Sequence, residues 1–260
     1  GRVSRLQSTS DGCETFRYVP NTVTKKGSHI RDAADSKRLM FVVVVARIPA
    51  LLFGMFNVGL QHFRAIGEYT MATPYSIDLI WHCFWYGFLK VLPLILVSYI
   101  VGLGIEFIFA QLRGHEINEG YLVTGMLIPL IVPVDIPLWM VAIAVAFAVI
   151  IGKEVFGGTG MNVFNPALLA RAFLFFAYTP YISGETIWVA GMTRGEGIVD
   201  SFSGATPLAD ATNALSDGAS EIVWSNGTTA LDWFIGTIPG SIGETSTIAI
   251  LLGAIILLYT

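Results

Sequence analysis

The sequence predicts an all-α integral membrane protein, a multi-span helical bundle with short helices broken by Pro and Gly and one long polar outer segment. Three observations carry that prediction. The chain of 260 residues is 54% hydrophobic and only 13% charged, against roughly a quarter charged in ordinary soluble domains, and its mean hydropathy is +0.66. Its apolar residues fall in runs, several of them near the ~20 residues that cross ~30 Å of hydrocarbon. Its charges are segregated along the chain. Residues 1–38 carry eight Lys/Arg against four acids, whereas 179–244 carries Arg194 alone against eight acids. Because basic flanks resist translocation, the N-terminal segment is expected in the cytoplasm and 179–244 on the outer side.

The elements follow in order. Residues 39–60 read as a first span containing Arg47 and a kinking Pro49. In 76–112, an interfacial opening from Ile77 to Trp85 should lead into a span from about 91 to 112, with the break at Pro93. Arg113–Gly120 is a polar return to the cytoplasmic side. Two apolar pieces, 121–133 and 137–152, are interrupted by Pro129, Pro133 and Pro137, and a third, Ala167 to Tyr178, follows the glycine-rich turn 156–162. Pieces too short to span point to re-entrant or discontinuous helices, since irregular backbone at membrane depth survives only under cover of protein or beside a cavity. The domain reading is therefore 1–38 basic and cytoplasmic, 39–178 the bundle, 179–244 the acidic outer segment, and 245–260 the start of a further span. A chain that opens on Gly1 and stops inside an apolar run is expected to be a piece of a longer protein.

Several chemistries are disfavoured. Cys13 and Cys83 stand far apart with no CxxC spacing, which argues against a disulfide framework, a zinc site or an iron–sulfur cluster held by this chain alone. His115-Glu116 does not continue to HExxH, and neither a Walker A motif nor a Rossmann glycine fingerprint is found, so neither ATP nor NADH is expected to bind here. The basic N-terminus lacks the aromatic interleaving of a nucleic-acid surface and reads as a topology determinant in contact with the lipid bilayer.

One motif carries chemistry. Asp200, Ser203, Gly204, Ala205 and Thr206 form D-x-x-S-G-A-T in the acidic outer segment. A bare Ser-Gly-Ala-Thr is ordinarily a turn, but a threonine hydroxyl beside two small residues is open to a phosphoryl group, and Asp200 could orient that reaction or its metal. The motif resembles the flavinylation signature on which a flavin transferase, with FAD as donor, links FMN to threonine. The resemblance widens with TKKGSHIRD (24–32), HEINEGYLVTGMLIPLIVP (115–133), KEVFGGTGMNVFNPALLARAFLFFAY (153–178) and FIGTIPGSIGETS (234–246). Together these resemble the NqrB/RnfD family, the flavin-carrying membrane subunits of the Na⁺-translocating NADH:quinone oxidoreductase and of the Rnf complex, in the N-terminal portion of such a subunit.

The resemblance implies a translocase subunit of a bacterial inner membrane that assembles with the other subunits of its complex. It further implies FMN bound covalently through a phosphoester to Thr206, riboflavin as a candidate second cofactor, quinone as substrate and Na⁺ as the transported ion. Asn162, Asn165 and Arg171 flank a glycine-rich turn at the start of a half-helix, where free N–H groups and the positive dipole end favour phosphate or a polar ring edge. They are expected to contact flavin, or else to cap the helix while Arg171 pairs with Glu154. Lys153-Glu154 reads as structural. The family places quinone contacts near Gly102, Leu103, Phe173 and Phe175, although an aromatic stripe is also ordinary packing. Glu106, a carboxylate within an apolar helix, reads as part of a sodium path or as a partner of Arg47 or Arg113. Two alternatives stay open at this point: an Rnf-type subunit working with ferredoxin and NAD⁺, and a non-redox channel or transporter. The charge asymmetry makes its own prediction. With Cys13 and Cys83 replaced, cysteines placed at Ser10 and Ser220 should react with an impermeant thiol reagent from opposite faces of the membrane; reaction from one face would overturn the topology.

Overall fold

The computed structural model describes residues 36–113, 120–195, 198–199, 202–218 and 221–259. The basic segment up to residue 35, the return loop 114–119 and Asp200 lie outside them. Among the described residues the chain is helical, without strands. The principal helices are α1 (Ser36–Ala65), α2 (Ile77–Arg113), α3 (Gly120–Ile131), α4 (Leu138–Gly152), α5 (Pro166–Ala177), α6 (Pro207–Ser216), α7 (Ala230–Ile235) and α8 (Thr247–Tyr259). Three stretches, Arg38–Ala65, Ile77–Arg113 and Leu138–Phe156, are long and apolar enough to cross a membrane. α3, α5 and α8 are apolar but only 12 or 13 residues long, about 20 Å at 1.5 Å per residue. α3 and α5 are half-length pieces expected from the Pro and Gly spacing, and α8 lies in the run read as the start of a further span.

The expected break at Pro93 does not occur. α2 is one helix of 37 residues with Pro93 inside it. A proline deprives the helix of one i→i−4 hydrogen bond, whereas the buried stripe Leu79, Cys83, Gly87, Val91, Leu94, Ser98, Gly102, Glu106 and Ala110 runs unbroken past it and keeps both halves on the same neighbours. The aromatic opening survives as an exposed ridge, with Trp81 and Trp85 stacked at 5.8 Å between ring centroids.

Small side chains set the helix spacing. A Cβ on Gly59 would overlap the Cys83 carbonyl, and one on Gly87 would overlap the Met55 carbonyl, so α1 and α2 cross with backbones in contact, as small-residue interfaces in membranes permit. The larger core joins α2, α3, α4 and α5 around Val91, Leu94, Tyr121, Ile128, Val145, Val149 and Leu174, and the alanines at 144, 148, 167 and 170 bring α4 against α5. Ile100, Ile108, Ile143 and Ile151 point outward, as lipid-facing positions should.

Glycine at 87 therefore decides the α1–α2 crossing, and Gly104, with open space around it, supplies the control. Gly87→Ala should cost about 1–3 kcal/mol by overpacking and lower the melting midpoint in detergent, whereas Gly104→Ala should be neutral or slightly stabilising. Equal midpoints for the two variants would refute the close crossing.

Candidate functional site

The Ser203–Thr206 loop is fixed by its own sequence. The Asn226 side-chain amide grips Ser203 at both ends, accepting from its N–H at 3.1 Å and donating to its carbonyl at 2.7 Å. Asn226 sits at φ 58°, a left-handed conformation asparagine tolerates better than most residues. Gly204 is buried, and a Cβ there would lie 2.5 Å from both the Glu185 carbonyl oxygen and the Met192 sulfur. Thr206 is the N-cap of α6, its Oγ1 accepting from Ala209 N–H at 3.3 Å, with Pro207 in the first turn. One turn later Asp210 accepts from the Ser225 N–H at 2.9 Å and its hydroxyl at 2.5 Å, which ties α6 back to the 225–227 turn.

Thr206 lies on the wall of a cavity of about 500 Å³ that also takes in Trp188, Trp233, Arg171, Glu244 and Thr245. Arg171 reaches it from the middle of α5, and its guanidinium is 3.6 Å from the Glu244 carboxylate. Both side chains are partly exposed, so the pair is weak and the guanidinium stays available to an anion. The Thr245 hydroxyl is buried with no hydrogen-bond partner among the described residues, an arrangement native structures usually avoid. Nearby, Asp232 closes a capping box with Thr229. Burial pushes its carboxyl up, but hydrogen bonds from Thr229 and Thr237 and the Arg64 charge outweigh that and hold it below the usual carboxylate range.

The acidic segment is not free-standing. His62 Nδ1 meets the Ala190 carbonyl at 2.6 Å, Val199 N–H donates to Ala65 at 2.9 Å, and Gly191 N–H donates to Asp135 at 2.6 Å. The stretch 237–246 enters the bundle. Asn57 donates to the Ile238 carbonyl at 2.9 Å, and Gly243 N–H donates to Leu130 at 2.9 Å.

The family model described as NQR2, RnfD, RnfE family matches residues 23–260. The chain belongs to this family. Among its relatives, proteins from Chromohalobacter salexigens and Ectopseudomonas mendocina, each named as a subunit of Na(+)-translocating NADH-quinone reductase, are 44% identical over the whole chain, which covers 63% and 65% of their lengths. The Haemophilus influenzae protein of the same name is 40% identical, with 66% of its length covered. The chain thus spans just under two thirds of these relatives.

The structure divides the other family-implied residues. Arg171 joins Thr206 at the cavity. Asn165 caps α5 through Ala167 N–H at 2.9 Å, and Asn162 donates to the Phe164 carbonyl at 2.9 Å; six residues from Arg171, about 9 Å along the helix, Asn165 does not line the cavity. The alternative pairing of Arg171 with Glu154 is not formed. Glu154 is taken by Arg113, at 3.6 Å to its carboxylate and 2.6 Å to its carbonyl. Of the four residues implied for quinone, Gly102 is buried under the Tyr121 ring, Leu103 packs on the core, Phe173 stacks on Phe147 at 4.7 Å, and Phe175 lies exposed against Phe176. None of the four lines the cavity at Thr206.

Glu106 pairs with neither Arg47 nor Arg113. Its partner is Lys153, in a direct ion pair with both side chains 5% exposed. Arg47 instead donates to the Val123 carbonyl at 2.9 Å. The Lys153 side chain, which sequence reasoning groups with its neighbour Glu154 as structural, turns inward because α4 ends at Gly152 and the chain tightens into the 154–156 turn. Breaking a buried pair strands a charge, so Glu106→Gln or Lys153→Met alone should cost about 3–5 kcal/mol, and the double variant should recover most of that. A double-mutant cycle on thermal unfolding reads the coupling, and additive losses would sink the pairing.

Proposed function

We propose that this chain is the flavin-carrying portion of an NqrB-type membrane subunit in a bacterial inner-membrane Na⁺-translocating NADH:quinone oxidoreductase, with FMN esterified to Thr206 on the outer side. The observation that carries this reading is that Thr206 and Arg171 line one cavity. The cavity fits such a group. Its volume lies within the ~300–1,000 Å³ of small-molecule sites, two indoles supply apolar lining, the guanidinium suits a phosphate or a flavin carbonyl edge, and the unpartnered Thr245 hydroxyl offers a further polar contact. When bound, FMN supplies one- and two-electron redox chemistry.

The chain's own residues position it. Gly204 lets the loop pack on the Glu185 carbonyl and Met192, the Asn226 clamp holds it, and the first turn of α6 brings its positive dipole end to a phosphoester at Oγ1. A flavin transferase, riboflavin, quinone and the remaining subunits enter this reading through the family. The relatives' names favour it over the Rnf-type alternative. Asp200 keeps its role in the flavinylation motif as part of the proposal. For Na⁺, the Glu106–Lys153 pair sets a condition: a sodium ion that uses the Glu106 carboxylate must first displace the Lys153 ammonium.

Thr206→Ala should abolish covalent flavin, read as in-gel fluorescence after denaturation, at a stability cost of about 1 kcal/mol for the lost cap. Thr206→Ser should keep both the cap and attachment. Fluorescence retained in the alanine variant would overturn the assignment.

A further inference from the structure

A second chamber, of about 270 Å³, lies on the other side of the 202–206 and 228–237 segments and is lined by Gln61, Arg64, Thr70, Asn226, Thr228 and Thr237 among others. Arg64 is 7% exposed. It donates through Nη1 to the Thr237 carbonyl and through Nη2 to the Tyr75 hydroxyl, both at 3.2 Å, yet its Nε is buried without a partner among the described residues. No ion pair among the described residues closes on the guanidinium. Asp232 is engaged by Thr229 and Thr237, and Glu68 stands 4.0 Å from His82. The Asp232 charge acts on Arg64 at longer range, and that charge, two neutral oxygens and the C-terminal dipole of α1 offset only part of the cost of burying a cation.

We propose that the Arg64 chamber is a binding site for a phosphate group. Each Nη of Arg64 makes one hydrogen bond and keeps a second N–H, and Thr70, whose hydroxyl meets Thr73, and Thr228, whose hydroxyl meets Ser225 and Trp233, line the same chamber; a planar cation with hydroxyls at hand suits a tetrahedral oxyanion. The surroundings favour the phosphate of a phospholipid headgroup. Tyr75, hydrogen-bonded to Arg64, leads into an exposed ridge of Ile77, Trp81, Trp85 and Leu89 at four-residue spacing along α2, an aromatic and aliphatic face of the kind found where membrane meets water. A headgroup held at Arg64 would lay its acyl chains along that ridge. Free phosphate shares the headgroup chemistry and is the other source to test.

The test uses the full-length protein, purified in detergent, delipidated and kept in phosphate-free buffer. Its melting midpoint is followed during titration with short-chain phosphatidylglycerol, with inorganic phosphate and with a diacylglycerol of the same chain length, since a ligand that binds only the folded state raises the midpoint. Phosphatidylglycerol should raise it, and diacylglycerol should not. A rise with inorganic phosphate alone keeps the phosphate site and assigns it to the free ion. Arg64→Gln should raise the half-saturating concentration tenfold or more, and so should Thr70→Glu, an exposed rim position where a new negative charge repels the ligand without disturbing the core. The proposal is overturned if neither phosphate compound shifts the wild type, if diacylglycerol matches phosphatidylglycerol, or if Thr70→Glu binds as the wild type does.

Discussion

Every backbone carbonyl at membrane depth needs a donor, and the bundle is organised around the helix least able to provide its own. α3 is short and contains Pro129, whose missing N–H leaves the carbonyl four residues earlier, at Gly125, without a helical partner. Ser98 of α2 donates to that carbonyl at 2.8 Å. Tyr99 donates to Leu122 at 2.7 Å and Arg47 to Val123 at 2.9 Å, while the Tyr121 hydroxyl returns a bond to Ser98 at 2.8 Å. An unsatisfied group in hydrocarbon costs several kcal/mol, so these bonds fix the depth and rotation of α3 between α1 and α2. They also explain why polar residues interrupt helices whose composition is otherwise lipid-like.

The same need for partners couples the bundle to the acidic segment. The last turn of α1 receives Val199 on its Ala65 carbonyl, and α1 sends Asn57 and Arg64 to the 237–238 carbonyls. The walls of the Thr206 and Arg64 cavities therefore share one loop system braced on one helix end. Thr206 and Arg171, 35 residues apart and on separate helices, meet because 237–246 folds back between them and the bundle. Glu244 and Thr245 thus face the cavity even though they belong to the approach to α8.

Much of this is legible in the residues. Apolar run lengths mark the spans, and Pro and Gly spacing marks α3, α4 and α5 within a residue or two. Thr206 and Arg171 both stand out in the sequence, although nothing there shows the cavity that unites them. What escapes is long-range and electrostatic. Sequence matches Glu106 to arginines because Lys153 sits beside Glu154, and only the helix end at Gly152 turns one side chain in and leaves the other to Arg113. Pro93 misleads because a local rule about proline ignores the buried stripe that keeps α2 continuous. Arg64, at the end of an apolar run, looks like an ordinary flanking charge, and no pattern in sequence announces that its Nε lacks a partner.

The glycines of α1 carry a consequence for engineering. A Cβ at Gly54 would strike the Ile242 backbone, as one at Gly59 would strike Cys83, while one at Gly253 of α8 would strike the Ala46 carbonyl of α1. One helix is thus contoured to the 237–246 stretch, to α2 and to α8 at once. The flavin-attachment segment cannot then be transplanted as a cassette. A chimera that exchanges 179–246 between relatives must bring along the facing positions of α1, above all Gly54, Asn57 and Arg64, or the donor loop will rest on a surface carved for another backbone.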